Sequence, residues 1–222
     1  MGFSTEVFPS GEYASRVAER IAGALPRSGS VVLTGGTTAE KIYPFLALQG
    51  ADWKSLSVAF SDERCVPPDD PASNYKMAHD LLLRDVHPAN VHRMPGEQEP
   101  TAGAAAYDGA IAPLVADGFD LLLLGMGADA HVGALYPDSP ALSEKTLCAA
   151  VDRPDGVKGL TLTPPAMLSA KKVLLLVTGA AKAGTVSRAL AGTVPVDACP
   201  VLLLKDHPHV TFLLDEDSAP VT

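Results

Sequence analysis

The sequence predicts an α/β protein with a largely parallel central sheet flanked by helices on both faces. Three observations carry that expectation. The stretch Phe119-Asp-Leu-Leu-Leu-Leu-Gly-Met-Gly127 is an apolar run that ends in a glycine pair. Four consecutive leucines are too few for a membrane span and too many for a half-exposed strand, so they read as a central strand buried on both faces. Similar short apolar runs at residues 30–34, 56–60 and 172–178 alternate with segments of helical spacing, the pattern of a parallel sheet with crossover helices. No repeat, low-complexity linker or composition break interrupts the 222 residues, so residues 1–222 read as a single Rossmann-like domain.

Taken in order, residues 10–25 form the first expected helix, with Val17, Ile21 and Leu25 on one face and Pro26 ending it. Ser30-Val-Val-Leu-Thr34 is a buried strand that runs into Gly35-Gly36-Thr37-Thr38 and a helix over about 39–48. Strand, glycine pair, hydroxyls, helix is an arrangement that exposes backbone N–H groups to an anion; its plainer reading is a tight turn with Thr37 or Thr38 as N-cap. Leu56-Ser-Val-Ala-Phe60 is the next strand and delivers Ser61-Asp62-Glu63-Arg64 at its carboxyl end. A proline-rich loop follows, then Asn74-Tyr75 opening a helix over 76–84, a short strand at 91–94 and an Ala-rich helix over 101–115.

The leucine strand then leads into Gly125-Met-Gly-Ala-Asp-Ala-His131, where Gly125 and Gly127 are expected to let the backbone turn sharply. A helical turn or two should follow before Pro137 and Pro140. Beyond them, residues 146–151, 159–163, 172–178, 201–204 and 210–214 read as strands, with helices at 166–170 and from Lys182 to about 191. The acidic tail is expected to be mobile.

The formal net charge of -9 argues against nucleic acid and anionic membranes as principal partners. It leaves room for a small anionic substrate in a locally cationic pocket. Cys65, Cys148 and Cys199 are odd in number and never paired as CxxC, which disfavours a disulfide framework or zinc site and suits a reducing cytoplasm. The N-terminus has neither a basic region nor an apolar core, so no signal peptide is expected. No apolar run approaches the roughly 18 residues of a membrane helix.

Hydrolase elbows, nucleotide P-loops and zinc helices have no match here. His207 and His209 alternate along an extended segment and read as surface or strand-edge residues rather than metal ligands. Gly125-Met-Gly127-Ala-Asp-Ala130 fits the loose dinucleotide fingerprint G-x-G-x-x-A. Pro137 shortens the helix such a site needs, and Asp152 comes later than the usual acid at about 20 residues. In an open α/β sheet, ligands bind at the carboxyl ends of the strands, and that is where Asp129, His131, Gly35, Gly36, Thr37, Asp62 and Arg64 fall. An imidazole is suited to take a proton from water and return it to a leaving oxygen. Asp129 is close enough to orient or charge the ring, and Lys182, after an apolar strand and a glycine, is placed to meet a phosphate dianion.

Five ordered segments together resemble the 6-phosphogluconolactonase family, which is similar in fold to the glucosamine-6-phosphate isomerase/deaminase enzymes. They are Thr34-Gly-Gly-Thr-Thr38; Ser61-Asp-Glu-Arg-Cys-Val-Pro67 with Ser73-Asn-Tyr75; Asp120 through His131 with Leu135-Tyr-Pro137; Leu160-Thr-Leu-Thr-Pro164; and Thr178-Gly-Ala-Ala-Lys182. The Asp-Glu-Arg with Val-Pro and Ser-Asn-Tyr points to the lactonase branch. The resemblance implies a sugar-phosphate isomerase type of fold and hydrolysis of 6-phospho-D-glucono-1,5-lactone without metal or organic cofactor.

In that reading His131 activates water. Gly35, Gly36, Thr37, Arg64 and Lys182 hold phosphate and substrate oxygens, and Asp62 and Asp129 are polar partners of the sugar or of the histidine. The implied partner is a small phosphorylated sugar lactone, and monomer and homodimer both stay open. The alternatives are a sugar-phosphate isomerase or deaminase and a non-catalytic sugar-phosphate binder. Three positions depart from the family's usual pattern. Ala130 stands where a glycine is usual, so the turn is expected to differ if that glycine uses φ > 0. Val132-Gly-Ala134 replaces Thr-Ala-Ser, and Gly159 stands where an arginine is common, with Lys158 as the neighbouring cation.

Overall fold

A computed structural model describes residues 2–220. Seven parallel strands make the main sheet in the order β1-β10-β9-β6-β2-β3-β5. They are β1 (Ser4–Phe8), β2 (Gly29–Leu33), β3 (Leu56–Phe60), β5 (Asn90–Val91), β6 (Leu121–Gly125), β9 (Val173–Val177) and β10 (Val210–Asp215). Leu121 to Leu124 and all of β9 are buried, as two-sided covering of a parallel strand requires. Each of these leucines removes enough apolar surface from water to stabilise the fold by roughly 1.5–3 kcal/mol.

The helices are α1 (Tyr13–Ala22), α2 (Thr37–Ala47), α3 (Asn74–Ala78), α4 (Arg84–Val86), α5 (Pro100–Asp117), α6 (Pro164–Leu168) and α7 (Ala183–Ala191). A π-helical segment, His79–Leu83, joins α3 to α4 without a break. From β1 the chain steps along the sheet in one direction through β2, β3 and β5, then reverses through β6, β9 and β10. Right-handed crossovers therefore put α1 to α4 on one face and α5 to α7 on the other; α1 packs on α2, and α2 on the π segment. The reversal falls between the neighbouring strands β2 and β6, so their carboxyl ends form the topological switch point where such sheets open a crevice.

Several expectations need correction. β4 (Asp62–Arg64), β8 (Lys158–Leu162) and β7 (Cys148–Asp152) form a separate antiparallel sheet over the end of the main one. Residues 201–204 are the 3-10 helix Pro200–Leu204 rather than a strand: Pro200 opens it, and Val201, Leu202 and Leu204 are buried. The strand expected at 91–94 is only Asn90–Val91. β1 was not anticipated, because its sequence Ser-Thr-Glu-Val-Phe is that of an edge strand with little burial. No helix follows β6; residues 126–135 fold as turns linked by bridges from Val132 to Met126 and Leu135, which also removes the helix a dinucleotide site would need.

The start of the acidic tail is anchored. Asp215 accepts hydrogen bonds from the amides of Gly179 and Ser218, and Ser218 is buried; residues 221–222 lie outside the described range. His207 is buried, with its ring Nε2 against the Ala170 carbonyl, so it is a packing residue and not a surface one. Among the described residues, no helix is long and apolar enough to cross a membrane.

Candidate active site

Three strand tips are tied together before any functional side chain is placed. Ser61 N–H, just past β3, donates to Leu33 O of β2. The Thr34 hydroxyl accepts from Ser61 Oγ and from the amide of Gly125, both at 3.2 Å. Tyr43 of α2 reaches back to Thr34, its hydroxyl donating to the carbonyl at 2.6 Å and accepting from the amide at 3.1 Å. That buried clamp fixes the start of α2 relative to the sheet.

Gly36, at φ 90°, is the N-cap of α2, and no side chain caps the helix. Neither threonine serves as N-cap: Thr37 is the first helical residue and Thr38 Oγ1 pairs with Thr178 Oγ1 at 2.9 Å. The first-turn amides, which lack intrahelical partners, lie along the cleft. Gly35 is required for a different reason. A Cβ there would stand 2.0 Å from Asn74 Oδ1, and Asn74 in turn donates to the carbonyl and the carboxylate of Asp62.

Glu63 organises the neighbouring loop. Its buried carboxylate accepts from Ser73 Oγ and from the amides of Arg64, Asn74 and Tyr75, at 2.7 to 2.9 Å. Burial raises its pKa despite these donors, which act in the opposite direction. Arg64 emerges from this strand, its Nη1 held by the Ala72 carbonyl and its Nε buried without a hydrogen-bond partner among the described residues.

On the β6 side, His131 Nδ1 lies 2.6 Å from Asp129 Oδ1, and that same oxygen accepts from the His131 amide at 3.1 Å. An ionised carboxylate only accepts, so Nδ1 carries the proton and Nε2 is left as the ring's acceptor. Burial pushes the Asp129 carboxyl upward, but the ring hydrogen bond, the charge of His131 and the backbone amides together outweigh it and hold the group below its ordinary value. The imidazole is 30% exposed, which leaves it open to water, and Tyr136 covers it with ring centroids 4.6 Å apart.

The turn that carries His131 departs from expectation in detail. Gly125 and Gly127 do not have positive φ; Ala130 does, at φ 72°, and so does Gly133 at 58°. The alanine therefore accepts the left-handed conformation that was expected to exclude it. Hydrogen bonds hold it there: Val201 N–H donates to Ala130 O, Ala130 N–H to Gly127 O, and Thr185 Oγ1 to Ala128 O.

Gly35, Gly36, Thr37, Asp62, Arg64, His131 and Lys182 all line one cleft of about 290 Å³ at the switch point. Asp129 stands behind the His131 ring. Lys182 sits at the N-cap of α7, its amine pushed below the ordinary lysine value by burial, with Asp215 and Asp129 acting against that. Among the further cleft residues, Tyr136 and Arg153 carried no role in the sequence reading. Tyr136 lies within one of the quoted segments; Arg153 has no motif around it and, at a strand end, resembles ordinary surface charge. Lys158 does not reach the cleft, being paired with Asp152 on the outer surface. Among the described residues, no group of three or more His, Cys, Asp or Glu side chains is arranged to hold a metal.

Fold and site together define a class: a doubly wound α/β enzyme whose cleft joins a helix start without a side-chain cap to a carboxylate-oriented imidazole. The chain belongs to the family described as glucosamine-6-phosphate isomerases/6-phosphogluconolactonase, whose model matches residues 10–212. It is 35% identical to the 6-phosphogluconolactonase of Mycobacterium tuberculosis over 99% of this chain and 98% of that protein. The 6-phosphogluconolactonase of Synechocystis is 33% identical over 86% of this chain and 83% of that one. Among solved structures, the 6-phosphogluconolactonase of Trypanosoma cruzi superposes with a TM-score of 0.84 at 27% identity, covering 98% of this chain and 97% of its own.

Proposed function

We propose that this chain is a 6-phosphogluconolactonase, opening 6-phospho-D-glucono-1,5-lactone to 6-phosphogluconate in the oxidative pentose phosphate pathway. The observation that carries the mechanism is the single cleft shared by the Nε2 side of His131 and the N-terminus of α2. Nε2 takes a proton from water as the water oxygen bonds to the lactone carbonyl carbon. The carbonyl π electrons move onto its oxygen, and the tetrahedral intermediate then collapses. The ring C–O bond breaks, and the imidazolium returns its proton to the departing ring oxygen. The Gly35-Gly36-Thr37 backbone, Arg64 and Lys182 bind phosphate and substrate oxygens, and cationic or N–H groups aimed at the developing oxyanion lower the barrier further. Asp62 accepts from sugar hydroxyls, and Asp129 fixes the ring and favours its charged form.

The substrate is a small phosphorylated lactone, and neither nucleic acid nor a membrane is a partner. Three free thiols, Cys65, Cys148 and Cys199, support a cytoplasmic setting. Lactone loss measured against the spontaneous rate tests the assignment. His131→Ala should lower the catalysed rate by about 10²–10⁴-fold, the range of general-base assistance. An enzyme indifferent to that substitution sinks the proposal, and conversion of glucosamine 6-phosphate without lactone opening selects an isomerase or deaminase instead.

A further inference from the structure

Arg153 follows directly on β7, and its side chain is only 10% exposed although it carries a charge. Its path into the cleft depends on the glycine directly across from Arg64 on the neighbouring strand. In the small sheet, Gly159 of β8 pairs with Arg64 of β4 on one side and Val151 of β7 on the other. Directly opposed residues of antiparallel strands project to the same face, so Arg64 and Gly159 share a row in which the middle side chain is missing.

The stem of Arg153 occupies that space. A Cβ on Gly159 would stand 2.9 Å from Arg153 Cδ and 3.2 Å from Cγ, with the Glu63 carbonyl at 3.2 Å behind it. The result is a second guanidinium-bearing residue lining the cleft that Arg64, Gly36 and Thr37 also line. Arg153 Nε and Nη2 engage the half-exposed Asp155, while its Nη1 has no hydrogen-bond partner among the described residues. Asp155 is held below its ordinary value first by this bond, with Arg64 contributing through space. One cleft of a chain of net charge -9 thus holds two arginines, with the half-exposed Asp155 carboxylate paired to Arg153.

From this geometry we infer that Arg153 is a substrate-binding residue. It forms with Arg64 a two-guanidinium clamp for the phosphate dianion, and Gly159 is the position that lets it in. The inference rests on the lactonase reading for its substrate and adds the residue that sets preference for the phosphorylated lactone. Planar N–H forks match phosphate oxygens, and in the same cleft the start of α2 supplies backbone N–H groups.

The test compares wild type with Arg153→Gln, which keeps most of the stem, and Arg153→Lys, which keeps the charge. Kinetics on 6-phosphogluconolactone and unphosphorylated gluconolactone are paired with calorimetric binding of 6-phosphogluconate and of gluconate. Arg153→Gln should raise the KM for the phosphorylated lactone, and the Kd of 6-phosphogluconate, by about tenfold or more, the loss of one charge-assisted contact. The effect should fall on KM rather than kcat, exceed any loss on the unphosphorylated lactone, and be partly rescued by Arg153→Lys.

Gly159→Ala should raise KM in the same direction by displacing the stem, and should add nothing in an Arg153→Ala background. An unchanged preference for phosphorylated ligands in Arg153→Gln overturns the clamp, as does a Gly159→Ala effect that persists without the arginine. Calorimetry separates this inference from the proposed activity. If no lactone is opened but 6-phosphogluconate still binds more tightly than gluconate through Arg153, the clamp stands and the hydrolase reading fails; equal binding of the two acids sinks the clamp.

Discussion

One oxygen of Asp129 holds both the ring and the backbone of His131, at 2.6 Å from Nδ1 and 3.1 Å from the amide nitrogen. Asp129→Asn keeps an acceptor for both contacts but removes the charge that favours the imidazolium formed during turnover. The carboxylate is 44% exposed, so the pair is screened. We expect kcat to fall about tenfold, less than the full value of a buried charged hydrogen bond, with little change in KM. A larger loss than in His131→Ala would show that Asp129 does something other than support the ring.

Ala130 is buried at φ 72°. The left-handed conformation costs a non-glycine residue about 1–2 kcal/mol. Glycine would relieve that, but it would forfeit a buried methyl worth about 0.8 kcal/mol and loosen the unfolded chain by about 0.4–1 kcal/mol. These terms nearly cancel, so Ala130→Gly should leave the melting temperature almost unmoved and retain activity. Ala130→Val, with a branched Cβ that does not suit φ > 0, should lose both. Thermal melts with lactone assays decide it, and an inactive, well-folded glycine variant would refute the account.

Lys182 has its pKa lowered chiefly by burial, which works against the charged amine in the folded state. The resulting penalty is full at pH values below the lowered folded pKa. It is relieved as pH rises from there to the ordinary lysine value of about 10.4. Lys182→Met should therefore not reduce stability at neutral pH. A phosphate dianion reverses the shift, so 6-phosphogluconate binding at about pH 9, on the acid side of that ordinary value, should take up protons. Calorimetry in two buffers of different ionisation enthalpy reads this uptake. Its persistence in Lys182→Met would place the proton elsewhere.

The parallel sheet was legible because Leu121 to Leu124 and Val173 to Val177 are apolar without interruption, and only two-sided burial explains that pattern. The small antiparallel sheet was not: β4 has three residues, two of them buried acids, and its partner β8 is almost a hundred positions away. The apolar run at 201–204 misled because burial does not distinguish a strand from a short helix. The residues expected in the cleft lie at strand tips that the apolar runs mark, and the resemblance to the lactonase family supplied their roles. Arg153 could not be found that way, since its place depends on the missing side chain of a residue on the next strand.

Gly127 looks like a turn glycine, yet its φ is not positive. A Cβ there would lie 2.2 Å from His131 Nδ1, 2.3 Å from Cε1 and 2.5 Å from Asp129 Oδ1. The position is therefore limited by the pair it supports rather than by its own backbone. At Gly125 an added Cβ meets nothing nearer than 3.9 Å. Gly127→Ala should fold cooperatively but drive the imidazole off its carboxylate, so that kcat drops towards the His131→Ala level. Gly125→Ala, two residues earlier at the end of β6, should have a far smaller effect. Because alanine suits the backbone at both sites, a comparable loss in the two variants would mean that the turn itself matters, not the room left for the ring. Ring-proton NMR of His131 supplies the independent reading, since only displacement from Asp129 should move the Nδ1–H resonance.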